Sequence, residues 1–153
     1  MDVLAAFMHR VDREVVETDF AFSPEDSVRD RLFAVLMRRF DALQPHREAV
    51  RRIRAGLKRD PLAAAIGMRQ LGCSMAWMLE AAGLSVEGVA GKVKTAGLTG
   101  LWGRCVEVWL NDDSADMSRT MAELDRGLRR ADRWAEIVFC RRRPRERERT
   151  EAA

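Results

Sequence analysis

Hydrophobic residues recur along this chain at steps of three and four, and nowhere alternate at steps of two. Tyrosine, a strand-favouring residue, is absent. The pattern predicts an all-α protein of about six helices. The first covers residues 3–18, with Leu4, Phe7, Met8, Val11 and Val15 on one face. Ser23-Pro24-Glu25-Asp26 reads as the next helix start: Ser23 caps, Pro24 suits the first turn, and the acids favour the positive end of the dipole. The helix it opens carries Val28, Leu32, Val35, Leu36, Phe40 and Leu43 inward, and Pro45 stops it. A third helix over 46–57 turns Val50, Ile53 and Leu57 to the core. Asp60-Pro61 repeats the cap-and-proline signal and opens a long apolar helix that Gly83 closes. Breaks are expected near 19–23, 44–46, 58–61, 83–85 and 111–114.

The last two predicted helices differ from the others. The fifth, 86–110 with Ser85 as cap, gathers Leu98, Leu101, Trp102, Cys105 and Trp109 on one side and Gly97, Gly100 and Gly103 on the other. An interior helical glycine costs about 1 kcal/mol relative to alanine, so the pattern predicts close approach of another helix there. The sixth follows the turn Asn111-Asp112-Asp113-Ser114, capped at Asp113 or Ser114, and runs to about Val138. Its apolar positions Met117, Met121, Leu124, Leu128, Ala131, Ala135 and Val138 alternate steps of four and three, as in a helix packed along its length on another. Arg119, Arg126, Arg129, Arg130 and Arg133 occupy the opposite face. The seam fits packing within the chain and pairing with a second copy equally well. For pairing, the interface set is Leu98, Leu101, Met117, Met121, Leu124 and Leu128.

Charge is unevenly placed. The segment 141–153 holds six Arg and three Glu, which accounts for the whole formal charge of +3. The rest of the chain is balanced, so the basic isoelectric point says little about a duplex-binding face. The composition predicts one domain over 1–140 and a disordered charged tail over 141–153. Cys73, Cys105 and Cys140 are odd in number and widely spaced, which argues against a disulfide framework and against structural zinc. No secretory pattern opens the chain, and the most apolar stretch, 62–84, contains Arg69, Gln70 and Glu80. A cytoplasmic location with reduced thiols is expected.

No catalytic residue, metal site or cofactor is predicted. His9 and His46 lie on separate helices with no carboxylate or nucleophile at a recognisable spacing. No GxSxG, P-loop or GxGxxG is present. The methionines and tryptophans of the fourth and fifth helices fit either a packed core or a cavity for an apolar ligand. In the second case the candidate lining is Leu36, Phe40, Leu71, Met75, Met78, Trp102 and Val106. Arg47, Arg51, Arg52, Arg54, Lys58 and Arg59 make the third helix basic, either as a solvated face or as a phosphate contact. Trp134, Ile137, Val138 and Phe139, followed by Arg141 to Arg149, fit an interfacial anchor for peripheral membrane contact.

Leu4-Ala5-Ala6-Phe7 with Val11 resembles the segment that follows the helix-turn-helix in TetR-family regulators. Arg29-Asp30-Arg31-Leu32 and Pro45-His46-Arg47-Glu48-Ala49-Val50-Arg51-Arg52 are more specific. So is Trp109-Leu110-Asn111-Asp112-Asp113-Ser114-Ala115-Asp116-Met117, followed by Thr120, Leu124 and Arg126. Together they resemble the coenzyme Q biosynthesis accessory family, a lipid-binding branch of the TetR superfamily, and its bacterial relatives. The resemblance spans about residues 4–135. It implies an effector-binding and dimerisation domain whose last two helices form a four-helix bundle with a second copy. An apolar effector would sit among the second, third, fourth and fifth helices. No helix-turn-helix is read in this sequence, so the chain alone is expected to bind no specific DNA. The alternative the resemblance carries is a lipid-binding accessory role in ubiquinone biosynthesis, with an isoprenoid or quinone precursor as ligand. The segment Gly83 to Leu98 lacks that family's polar and aromatic motif, which favours the regulator reading.

Overall fold

The computed structural model describes residues 2–140 of the chain. Its elements are α1 (Asp2–Val16), α2 (Val28–Leu43), a 3-10 turn (Gln44–His46), α3 (Arg47–Leu57), α4 (Pro61–Ala81), α5 (Gly88–Leu110) and α6 (Ser118–Cys140). Among the described residues there is no strand, and no helix is long and apolar enough to cross a membrane. The expected tail, 141–153, lies outside the described residues, as do the side chains of Trp134, Ile137, Val138 and Phe139.

The helix count needs correction. The chain stays helical from Val28 to Leu57, so the described residues form five uninterrupted helical stretches. Pro45 does not break the path. It sits in the first turn of the 3-10 segment, where a missing N–H leaves no bond unmade. The start of α2 also differs. Residues 23–26 form a separate turn, closed by Ser23 N–H to Asp26 Oδ2 at 2.7 Å. The cap is Ser27, whose hydroxyl accepts from Asp30 N–H at 3.1 Å and donates to Asp30 Oδ2 at 2.6 Å. Hydrogen bonds from Ser27 and then Arg29 hold the Asp30 carboxyl below the usual carboxylate range.

Two other signals act as the sequence suggests. Asp60 Oδ1 accepts from Ala63 N–H at 2.9 Å with Pro61 at the first helical position of α4. At the other end of α4, Gly83 adopts φ +80°, and Leu84 N–H bonds back to the Leu79 carbonyl at 2.9 Å. A Cβ at Gly83 would lie 2.9 Å from Arg31 Nη1. We therefore expect Gly83→Ala to lower stability by about 1–2 kcal/mol, measured by urea unfolding with an unchanged slope. Equal midpoints for the two proteins would show that another residue closes the helix.

The core joins faces of α1, α2, α4, α5 and α6. Val15, Val35, Leu36, Phe40, Met75, Met78, Cys105, Trp109 and Leu124 are fully buried. Phe40 stacks on Trp102 at 4.3 Å between centroids and tilts against Trp109 at 5.7 Å. α3 contributes no buried residue. It is held by polar contacts: Arg47 Nη2 donates to the carbonyls of Trp109 and Asp112 at 2.6 Å each, and Arg51 Nη2 donates to that of Leu110. These carbonyls lie at or just beyond the C-terminus of α5, where backbone acceptors lack helical partners and positive charge is favoured. Arg47 and Arg51 thus dock α3 on the end of α5, whereas Arg52, Lys58 and Arg59 of the same basic run stay exposed.

Asp112 organises the turn into α6. Its Oδ2 accepts from Thr120 N–H at 2.8 Å and Thr120 Oγ1 at 2.7 Å, and its Oδ1 accepts from the Ser114 hydroxyl and N–H. Burial pushes this carboxyl up, but the bonds from Ser114 and Thr120 outweigh it and bring it down to about 2. Of the two expected caps, Ser114 does act: its hydroxyl accepts from Ser118 N–H at 3.0 Å, and Asp112, which was not expected, adds the bond to Thr120 N–H.

Candidate functional site

A cavity of about 740 Å³ lies between α2, α3, α4 and α5, within the roughly 300–1,000 Å³ of small-molecule sites. Its apolar wall is Leu43 of α2, Val50, Ile53 and Leu57 of α3, Leu71 of α4, and Trp102 and Val106 of α5. Gly67, Gly100 and Gly103 also line it. A Cβ at Gly100 or Gly103 would meet nothing within 4 Å, so these glycines open space beside α5. Among the described residues the expected close approach of another helix at Gly97, Gly100 and Gly103 is not found. It occurs at Gly127 of α6, where a Cβ would run into the Leu101 side chain.

Of the seven expected lining residues, Leu71, Trp102 and Val106 border the cavity. Leu36, Phe40, Met75 and Met78 do not: each is 0% exposed in the core. The reason is position along the helix axes: Leu36 and Leu43, and likewise Leu71, Met75 and Met78, recur at steps of three, four or seven on one face, and the cavity borders only the C-terminal end of α2 and the N-terminal half of α4. The apolar face of α3 supplies three of the missing wall residues, and its periodicity already marks them as inward.

Charge is confined and paired. Arg54 forms an ion pair with Glu107, and Arg104 Nη2 meets Glu123 Oε1 at 3.0 Å. Arg126 Nη1 meets the other oxygen of Glu123 at 3.0 Å. The most buried charge is Arg39 of α2, with 0% exposure. Its Nη1 donates to Asp12 of α1, and Ser74 Oγ of α4 donates to the same carboxylate oxygen at 2.6 Å. The Trp102 ring lies 5.0 Å from the Arg39 guanidinium carbon. Burial lowers the Arg39 pKa, and the Asp12 charge and hydrogen bond act against that. Sequence reasoning missed both Arg39 and Asp12, although each falls in the apolar phase of its helix, beside Val35, Leu36 and Leu43 or beside Met8, Val11 and Val15.

The remaining candidates are dispersed. His9 is exposed, 3.3 Å from Gln70 Nε2, and His46 packs its ring edge-on to Phe7 at 5.2 Å. Burial, with a smaller contribution from Glu123, pushes the Cys105 thiol up to about 12, so it stays protonated at neutral pH. Among the described residues no group of three or more His, Cys, Asp or Glu stands together to hold a metal ion.

The residues assigned to pairing between chains also need correction. Leu98, Leu124 and Leu128 are 5%, 0% and 4% exposed within a single chain. Leu101 is half-buried against Gly127, Met117 packs on the core, and Met121 is half-buried. Over its described side chains the seam of α6 packs on the chain's own α5 and α2. The outer face of α5 is left open instead. There Val89 and Val93 are 80% and 66% exposed, and Ala96 and Gly100 continue the same face.

The chain matches no family model, no curated protein and no solved structure.

Proposed function

We propose that this chain is the effector-binding domain of a TetR-type transcriptional regulator, and that its cavity takes an apolar small molecule. The observation that carries this is the 740 Å³ space with a largely apolar wall, placed between α2, α3, α4 and α5. A half-open cavity of this size lined by Leu, Ile, Val and Trp holds apolar surface against water until something covers it. The sequence resemblance to the TetR superfamily supports the regulator role. Homodimerisation is part of the same proposal, with the pairing face moved to Val89, Val93, Ala96 and Gly100.

α3 gives the binding event a physical consequence. It walls the cavity with Val50, Ile53 and Leu57 yet buries no residue of its own, so it belongs to the low-stability end of the molecule. A ligand seated behind it adds apolar contacts to α3 and favours the docked arrangement over the loosened one. Because Arg47 and Arg51 tie α3 to the end of α5, that bias passes to the helix carrying the proposed pairing face.

The test is a melting series with alkyl and aryl compounds, alongside mass spectrometry of an organic extract of the purified protein. A ligand at ~100-fold excess over its Kd adds about 2.7 kcal/mol. That corresponds to an increase on the order of 5–10 °C in Tm. Amide exchange in α3 should slow at the same time. Constant Tm across the series and an empty extract would refute the reading.

A further inference from the structure

The wall of the cavity holds one feature that an apolar ligand alone leaves unexplained. Arg39 borders the space, and its Nε and Nη2 are buried with no hydrogen-bond partner among the described residues. Nη1 is committed to Asp12. A guanidinium presents its N–H groups in a fixed planar fork, so the edge formed by Nε and Nη2 is a ready-made clamp for oxygen. Leaving such donors buried and unmatched is costly, and more so for a charged group than for a neutral one. Trp102 lies against the guanidinium and also lines the cavity, which puts the cation and the apolar wall side by side.

Charge balance decides which kind of oxygen fits. Arg39 is already matched by Asp12, Arg54 by Glu107, and Arg104 by Glu123. A ligand carboxylate would bring a further negative charge next to Asp12 and within a wall that also holds Glu107 and Glu123. A carbonyl oxygen accepts from the same N–H groups without adding charge. We propose that the cavity binds an apolar molecule bearing an uncharged carbonyl, a ketone or an ester, whose oxygen is held by the Nε and Nη2 edge of Arg39 while its hydrocarbon body lies against Val50, Ile53, Leu71 and Trp102. This rests on the apolar-ligand reading of the cavity and adds the chemical class of the ligand.

The test uses the full chain and three probes of one length: decane, methyl octyl ketone and decanoate. Affinities are read from tryptophan fluorescence, since Trp102 lines the site. Arg39→Lys keeps a cation for Asp12 and removes the forked edge. The expected result is that the ketone-to-decane affinity ratio falls about tenfold in Arg39→Lys while decane affinity itself is kept. Decanoate should bind the wild type more weakly than the ketone. A second measurement needs no variant: in the wild type, the Arg39 Nε–H nuclear magnetic resonance signal should shift with the ketone and stay in place with decane. An unchanged ratio, an unmoved Nε–H signal, or tighter binding of decanoate than of the ketone overturns the carbonyl assignment and leaves the apolar cavity standing. Failure of all three probes to bind overturns both.

Discussion

Arg39→Met is expected to lower the unfolding free energy by about 3–5 kcal/mol. The substitution keeps much of the side-chain volume but strands the Asp12 carboxylate, which is 3% exposed and would keep only the Ser74 hydroxyl as partner. An unpaired charge at that depth is costly to keep out of water. The double variant Asp12→Leu with Arg39→Met removes both charges. It should recover most of the loss, because the attraction within a buried ion pair is largely offset by the desolvation of its members. Urea unfolding of the two single variants and the double variant forms a complete cycle. If Arg39→Met costs less than about 1 kcal/mol, Asp12 and Arg39 are not the buried pair described here.

Leu124→Asp should leave no folded chain at any protein concentration. Leu124 is 0% exposed, inside the seam where α6 meets the core, so a carboxylate there would be taken out of water. The loss of a buried leucine alone is worth about 2–5 kcal/mol, and the charge adds to it, against a total stability of about 5–15 kcal/mol. Circular dichroism and light scattering together read the outcome. Val93→Asp gives the contrast. Val93 is 66% exposed, so helicity should be unchanged and only self-association should weaken. A helical, monomeric Leu124→Asp would place the seam between chains after all. Arg126→Glu should cost far less than Leu124→Asp, because the Arg126 side chain is 64% exposed and Arg104 remains paired with the largely buried Glu123.

The sequence by itself determined the all-α class and most helix ends. Periodicity at three and four selects helices, and a cap such as Asp60-Pro61 or a stop such as Gly83 acts through bonds within a few residues of itself. It also marked Val50, Ile53 and Leu57 as inward, because an amphipathic face needs no knowledge of what covers it. Where two local signals competed, at Ser23 and Ser27, the hydroxyl that met Asp30 prevailed, and such neighbouring choices differ by little free energy.

Only the tertiary structure decided what each inward face touches. A seam of alternating steps states that α6 has a long apolar contact, and the same steps serve a partner within the chain or outside it; packing on α5 and α2 fills it from within. Leu36, Phe40, Met75 and Met78 are as apolar as any cavity lining and share a face with Leu43 or Leu71, so only the place where α3 stands off along α2 and α4 separates core from wall. Arg47 and Arg51 read as surface charge because the carbonyls they satisfy lie some sixty residues away in sequence. Asp12 and Arg39 carry the clearest lesson. Opposite charges in the apolar phases of two helices are each unfavourable alone, and the fold stabilises them by bringing them together, which no window of local sequence contains.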